Sequence, residues 1–179
     1  MKFAAFFRNT NLGRIGSPTR LQLEKSFADA GAVKAASFQV NGTLVFESSS
    51  VKAAQIILRT ASEALLSSVG LQEPCCVRPL NALSRLPWAE VFAAVNPAEV
   101  HELTVSFACG TLGSTLSLPQ ATERQDAVVL WLAQGNALSI SRKIMSGPGS
   151  PNMLLERLTG VPFTSRSLGT IQRLLARYA

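Results

Sequence analysis

Seven side chains in this sequence are of types that hold anions, and they fall in three places: Arg8 with Asn11, then Arg142, Lys143 and Ser150, then Arg166 and Arg173. Arginine offers a planar fork that matches a carboxylate or a phosphate. Arg8 and Asn11 leave the apolar run Phe3-Ala-Ala-Phe-Phe7, and a loop at the end of a strand is well placed to meet a ligand. Asn9 and Asn11 equally suit a turn that bonds its own backbone. Ser150 closes the loop Ser146-Gly147-Pro148-Gly149 and is followed by Pro151, which predicts a helix start. Such a start presents backbone N–H groups and a partial positive charge, and glycines let a phosphate approach. Arg142 and Lys143 end the preceding apolar run and are placed to assist. An ordinary capped turn is the other reading, and the G-x-x-x-x-G-K spacing of a phosphate-cradling loop is absent.

The third place is the stretch from Val161 to Arg177, in which Pro162 and Phe163 read as a short extended entry. Thr164, Ser165 and Ser167 are all residues that cap a helix start with a side-chain oxygen. Leu168, Ile171, Leu174, Leu175 and Tyr178 recur at helical spacing and predict one apolar face. With Arg166 in the first turn, Arg166, Thr170, Arg173 and Arg177 form a stripe on the opposite side. The stripe reads either as the solvated side of a docked helix or as an arginine row that faces an anion.

Nucleophilic and metal chemistry find little support. Cys109 precedes a Gly-Thr-Leu-Gly loop, but a catalytic thiol needs a base or a positive neighbour. His101 is the single histidine and begins the same predicted strand, about 26 Å away along an extended chain. Cys109 therefore reads as packing and His101 as a surface residue. Cys75, Cys76 and Cys109 have neither metal-ligand spacing nor a disulfide framework. They are expected to be buried, reduced thiols in the cytoplasm. No paired-carboxylate, H-E-x-x-H, G-x-S-x-G or G-x-G-x-x-G motif occurs, so neither metal nor cofactor is expected. Phe38, Phe46 and Phe107 read as core rings rather than as an RNA-stacking surface.

The 179 residues are 47% apolar and 16% charged, enough for a sizeable core. The apolar runs are too short to span a bilayer or to act as a secretion signal, so no membrane partner is expected. The net charge of +6 is uneven. Residues 1–126 carry 11 basic and 10 acidic side chains, whereas residues 127–179 carry six basic ones against Glu156 alone. That asymmetry favours a polyanionic or phosphate-bearing partner, with a merely soluble basic surface as the plainer account.

The elements that position these residues follow from periodicity. Phe3 to Phe7 predicts a buried strand, and Ser17-Pro18 a helix start whose inner face is Leu23, Phe27 and Ala30, ended by Gly31. Val33 to Val40 and Thr43 to Glu47 predict a hairpin about Asn41-Gly42. Ser48 to Ser50 supply a cap for a helix with Val51, Ala54, Leu58, Ala61 and Leu65 inside, ended by Gly70. Pro74 to Leu80 predicts a fourth strand. Asn81 to Val95 reads as a connecting helix restarted at Pro87 and closed by Asn96-Pro97. The pattern then repeats, with a strand through Leu103, Val105 and Phe107 and a short helix within Thr115 to Arg124. A hairpin of Ala127–Leu132 and Leu138–Ile144 follows, then a helix from Ser150-Pro151 to Gly160. The expected class is α+β: two ferredoxin-like halves in tandem, each strand-helix-strand-strand-helix-strand, with a connecting helix and an added C-terminal helix. The halves are 1–80 and 99–179, joined by 81–98, and are expected to make one compact unit.

Four short motifs in order resemble the family called domain of unknown function 1697. They are Phe7-Arg8-Asn9-Thr10-Asn11-Leu12-Gly13-Arg14, Asn41-Gly42-Thr43-Leu44-Val45-Phe46, Asn96-Pro97, and the closing set Thr164, Arg166, Thr170 and Leu174. The family usually has Asn and Trp where Ser167 and Leu168 stand. The resemblance implies a compact α+β fold in two similar halves and no established activity.

Besides a plain interaction module with no small ligand, two functions remain open from the sequence. One is a non-enzymatic binding module for an anionic small molecule or nucleic acid, held by the basic C-terminal half. The alternative is a small-molecule enzyme with its site between the halves, using Arg8, Asn11 and Arg166 to hold substrate.

Overall fold

The computed structural model describes residues 1–113, 116–144 and 147–179. The chain divides into two units, the first made of Met1–Arg85 with Leu174–Ala179 and the second of Leu86–Arg173.

The first unit runs β1 (Lys2–Phe7), α1 (Arg20–Asp29), β2 (Val33–Phe38), β3 (Thr43–Glu47), α2 (Val51–Val69), β4 (Cys75–Pro79). Its four strands form an antiparallel sheet in the order β2-β3-β1-β4. Alternation along the strands puts Phe3, Ala5 and Phe7 of β1 on one face with Leu44 and Phe46 of β3 and Val77 of β4. That face packs against Leu23 and Phe27 of α1 and Ala54, Ile57, Leu58, Ala61 and Leu65 of α2. Phe27 is central: its ring meets Phe46 at 5.3 Å and Phe7 edge-on at 6.1 Å between centroids. Ala4 and Phe6, on the other face, are buried too, so β1 is enclosed on both sides.

Capping explains the helix limits. Ser50 accepts the N–H of Ala53 at the start of α2, and Gly70 ends it in the left-handed region at φ 71°. The start of α1 differs from expectation. The cap is Thr19, not Ser17, and it forms a reciprocal box with Gln22. Ser17 instead accepts the backbone N–H of Asn11. The connecting segment holds two short helices, α3 (Leu80–Leu83) and α4 (Trp88–Phe92), the second starting after Pro87, then a 3-10 turn at Pro97–Glu99 capped by Asn96.

The second unit contains β5 (Glu102–Ala108), β6 (Gln120–Ala121), β7 (Ala127–Ala133), β8 (Asn136–Ser141), β9 (Lys143–Ile144), β10 (Gly147–Pro148), α5 (Pro151–Thr159) and β11 (Phe163–Ser167). The main sheet has the order β11-β5-β8-β7-β6, and β9 pairs with β10 separately. Leaving aside two-residue strands, both sheets pair the fourth strand with the first, the first with the third and the third with the second. Leu154 and Leu155 of α5 pack on Ala108, Ala127, Val129, Ala137 and Phe163.

Two sequence expectations fail in this unit. Residues 116–124 hold no helix; Pro119 lacks the N–H a helix interior needs, and Gln120–Ala121 pair with β7 instead. Thr115 lies outside the described residues. The stretch expected to open the last helix is β11, an edge strand whose Phe163 to Ser167 pair with Ala108 to Thr104 of β5. The last helix, α6 (Leu168–Tyr178), begins only after it. Among the described residues, no helix is long and apolar enough to cross a membrane.

Candidate functional site

The seven candidate residues divide between the two units. Arg8 and Asn11 belong to the first unit, and the other five to the second.

Asn11 is a turn former. With its amide oriented to satisfy both neighbours, it donates to the Val40 carbonyl at 3.3 Å and accepts from Nε of Arg14 at 3.2 Å. Its own carbonyl accepts the N–H of Arg14. Arg8 is half-buried at the end of β1, with its backbone N–H on the Pro74 carbonyl and its own carbonyl accepting the hydroxyl of Thr10. Asn9 takes φ 49°, a left-handed value that asparagine tolerates in turns.

Arg166 is not on the helix. It lies in β11, is 9% exposed, and directs Nη1 to Oγ1 of Thr164 at 3.0 Å and to the Ser165 carbonyl at 2.8 Å. The expected stripe is therefore broken: Arg173 and Arg177 are exposed on α6, and Arg166 is buried on a strand. Of the three hydroxyls expected to cap the helix, only Ser167 does so, accepting the N–H of Thr170 at 3.2 Å. Ser165 donates to Oδ1 of Asn152 on α5, which leaves Ser106 to supply the proton of the 2.5 Å Ser106–Ser165 contact. Arg173 donates from Nη2 to Oγ1 of Thr170 at 3.2 Å.

Arg142, Lys143 and Ser150 do come together. Lys143 pairs with Pro148 across the β9–β10 ladder, and the N–H of Gly149 donates to the Arg142 carbonyl at 3.2 Å. Ser150 follows directly as the cap of α5, accepting the N–H of Met153 at 3.4 Å. Ser146, which opens the expected loop, lies outside the described residues. Lys143 and Ser150 are exposed, and Arg142 is half-buried.

The surroundings of this corner were not visible in the sequence. Nη1 of Arg142 donates to the Gln125 carbonyl at 3.1 Å, and its backbone N–H to the Asp126 carbonyl at 2.7 Å. Asp126 is itself buried; its carboxylate accepts from Thr122 at 2.6 Å and meets Nη2 of Arg124 at 3.2 Å. The corner thus holds three basic side chains, Arg124, Arg142 and Lys143, and one buried acid. Pro151 brings no N–H to the start of α5 and Ser150 takes that of Met153, so side chains matter more here than the helix end.

Cys75, Cys76 and Cys109 are free thiols. Cys76 is buried as expected, while Cys75 and Cys109 are only half-buried. Cys75 Sγ lies 3.2 Å from the Ser62 hydroxyl, and Cys109 Sγ points to the Phe107 carbonyl at 3.8 Å. His101 is exposed just before β5. Among the described residues, no group of three His, Cys, Asp or Glu side chains is placed to hold a metal ion.

These features define a mixed α/β protein built on two main antiparallel sheets, without a recognisable catalytic constellation among the described residues. The chain belongs to the family described as protein of unknown function DUF1697, whose pattern matches residues 1–130. The match contains the Arg8, Asn41 and Asn96 motifs; the closing motif at Thr164 to Leu174 lies beyond it. Among solved structures, the chain is similar to the conserved bacterial protein SP0830 from Streptococcus pneumoniae. The two share 14% identity with a TM-score of 0.64 over 98% of this chain and 97% of that one, a likeness of fold alone. No curated protein matches this chain.

Proposed function

We propose that this chain is a non-enzymatic binding module for a phosphate-bearing ligand, a small anion or a nucleic acid, held at the corner where β8 passes into β9 and α5 begins. The observation that carries this reading is that the backbone brings Arg142, Lys143 and Ser150 to one corner. Lys143 is free to swing a point charge toward a phosphate. Arg142 is anchored by its Gln125 contact, which limits the entropy lost on binding. Asp126 opposes an anion, but its carboxylate is already engaged by Thr122 and Arg124.

The repeated pairing order of the two sheets supports reading the halves 1–80 and 99–179 as a ferredoxin-like tandem. The missing helix before β7 sets the second half apart, at least among the described residues. Three free thiols support a reducing, cytoplasmic compartment.

Thermal melts at low salt test the binding reading, because a ligand that binds only the folded state raises the melting point. Inorganic phosphate, a nucleotide and a mixed-sequence oligonucleotide serve as probes. Stabilisation of the wild type is expected, weakened by added salt and lost in Lys143→Ala with Arg142→Ala. No stabilisation by any of the three overturns the reading.

A further inference from the structure

β2 is the outer strand of the first sheet, and an outer strand presents unpaired N–H and C=O groups that invite another strand. Ser37 stands opposite Leu44 of β3, yet its backbone groups turn away from β3. Its N–H donates to Oε1 of Glu24 at 2.8 Å, and its carbonyl accepts from Nη1 of Arg20 at 3.2 Å. Nη2 of Arg20 reaches the next outward carbonyl, that of Gln39, at 3.4 Å. Arg20 and Glu24 are one helical turn apart on α1, and their charged groups lie 3.9 Å from each other. One donor and one acceptor, held side by side, thus occupy the positions that a neighbouring strand's carbonyl and N–H would take.

We infer that Arg20 and Glu24 close the outer edge of β2, and that without them this edge pairs antiparallel with β2 of a second copy of the chain. The flanks of the edge favour such pairing. Leu21 is 73% exposed, and Val33 and Val40 are each 54% exposed, so a second copy would cover apolar surface at the same time. Lys34, at φ 51°, interrupts the ladder near the start of β2, which confines the pairing to the stretch around Ser37. A second copy is the fitting occupant because two such edges, related by a two-fold axis, present the same donors and acceptors to each other.

The experiment is light-scattering mass of the full chain across a concentration series. The wild type is compared with Arg20→Ala plus Glu24→Ala, and with that pair carrying Ser37→Pro. The double variant is expected to gain a species of twice the wild-type mass. Ser37→Pro removes the outward N–H and is expected to restore the wild-type mass. Each single variant, Arg20→Ala and Glu24→Ala, is measured too, and each is expected to show a rise in the doubled species. A folded double variant that keeps the wild-type mass overturns the inference, as does larger aggregate that Ser37→Pro leaves unchanged. Should the double variant fail to fold, wild-type mass in both single variants overturns it equally.

Discussion

Arg166 donates from Nη1 to Oγ1 of Thr164, 3.0 Å away and two residues back on the same strand. The bond ties this arginine to its own strand, with a second bond from the same nitrogen to the Ser165 carbonyl. Both ends of the bond are buried. Removing a charged donor from such a place leaves acceptors without their partner, at a cost of ~1.5–3 kcal/mol. Arg166→Ala is therefore expected to lower the denaturant midpoint with no anion present. Arg177, exposed in the last turn of α6 beside the Tyr178 ring, is expected to change stability by less than about 0.5 kcal/mol when replaced by Ala. Equal midpoints for the wild type and Arg166→Ala would refute the structural role.

Gly149 has no room for a methyl group. A Cβ there would overlap the carbonyl group of Asp126 and stand 2.7 Å from the N of Ala127, and all of these are backbone atoms that cannot turn aside. Gly149→Ala must push the start of α5 away from the Asp126 turn, at a cost of ~1–3 kcal/mol. Because Gly149 also bonds the Arg142 carbonyl, the same variant is expected to weaken any phosphate-induced stabilisation. An unchanged urea midpoint would show that the turn gives way freely.

The cap of α1 is a finer test of how helices begin here. Thr19 accepts the N–H of Gln22 at 3.2 Å, and the Gln22 side chain accepts the N–H of Thr19 at 2.8 Å. Thr19→Ala is expected to cost ~1 kcal/mol. Thr19→Ser, which keeps the oxygen, is expected to recover most of it. Equal loss in both variants would mean that the methyl group, not the cap, carries the effect.

These cases show which parts of the fold were legible in the sequence. The limits of β3, Thr43 to Glu47, are legible because Asn41-Gly42 marks a hairpin and the apolar run after it is short. α2 was legible because Ser50, Gly70 and the spacing of Ala54, Leu58, Ala61 and Leu65 agree, although Val51, expected inside, is 43% exposed in the first turn. Thr19 had its signal in Gln22, three residues on, but Ser17-Pro18 offered an equally good local start. Beyond the extended Pro162-Phe163, β11 had no local signal. Thr164, Ser165 and Ser167 suit a cap as well as a strand, and pairing with β5, more than fifty residues away, decides between them. The corner of Arg142, Lys143 and Ser150 was legible because its members are close in sequence. Gln125 and Asp126 were not, because the 122–126 turn reaches that corner only through the sheet.

The last prediction concerns the thiols, all three of which the sequence placed in the core. Burial separates them: Cys76 is 5% exposed on β4, whereas Cys75 and Cys109 are half-buried at strand ends. Cys76 stands opposite Phe6, which has no exposed surface, on the sheet face away from α1 and α2, and a reagent reaches its sulfur only when the packing over that face opens. Cys75 borders a groove of about 390 Å³ lined by Leu58, Ser62, Leu66 and Leu71, which admits a small reagent without unfolding. Its sulfur lies 3.2 Å from the Ser62 hydroxyl, and Arg59 lines the same groove. Native-state labelling with a small maleimide, read by peptide mass, is expected to modify Cys75 and Cys109 first. Cys76 is expected to follow only at the rate of global or sub-global opening. A mild concentration of denaturant should speed Cys76 far more than the other two, because its reaction alone requires buried packing to open. Labelling of Cys76 as fast as Cys75 in buffer would contradict the enclosure of β1 and β4.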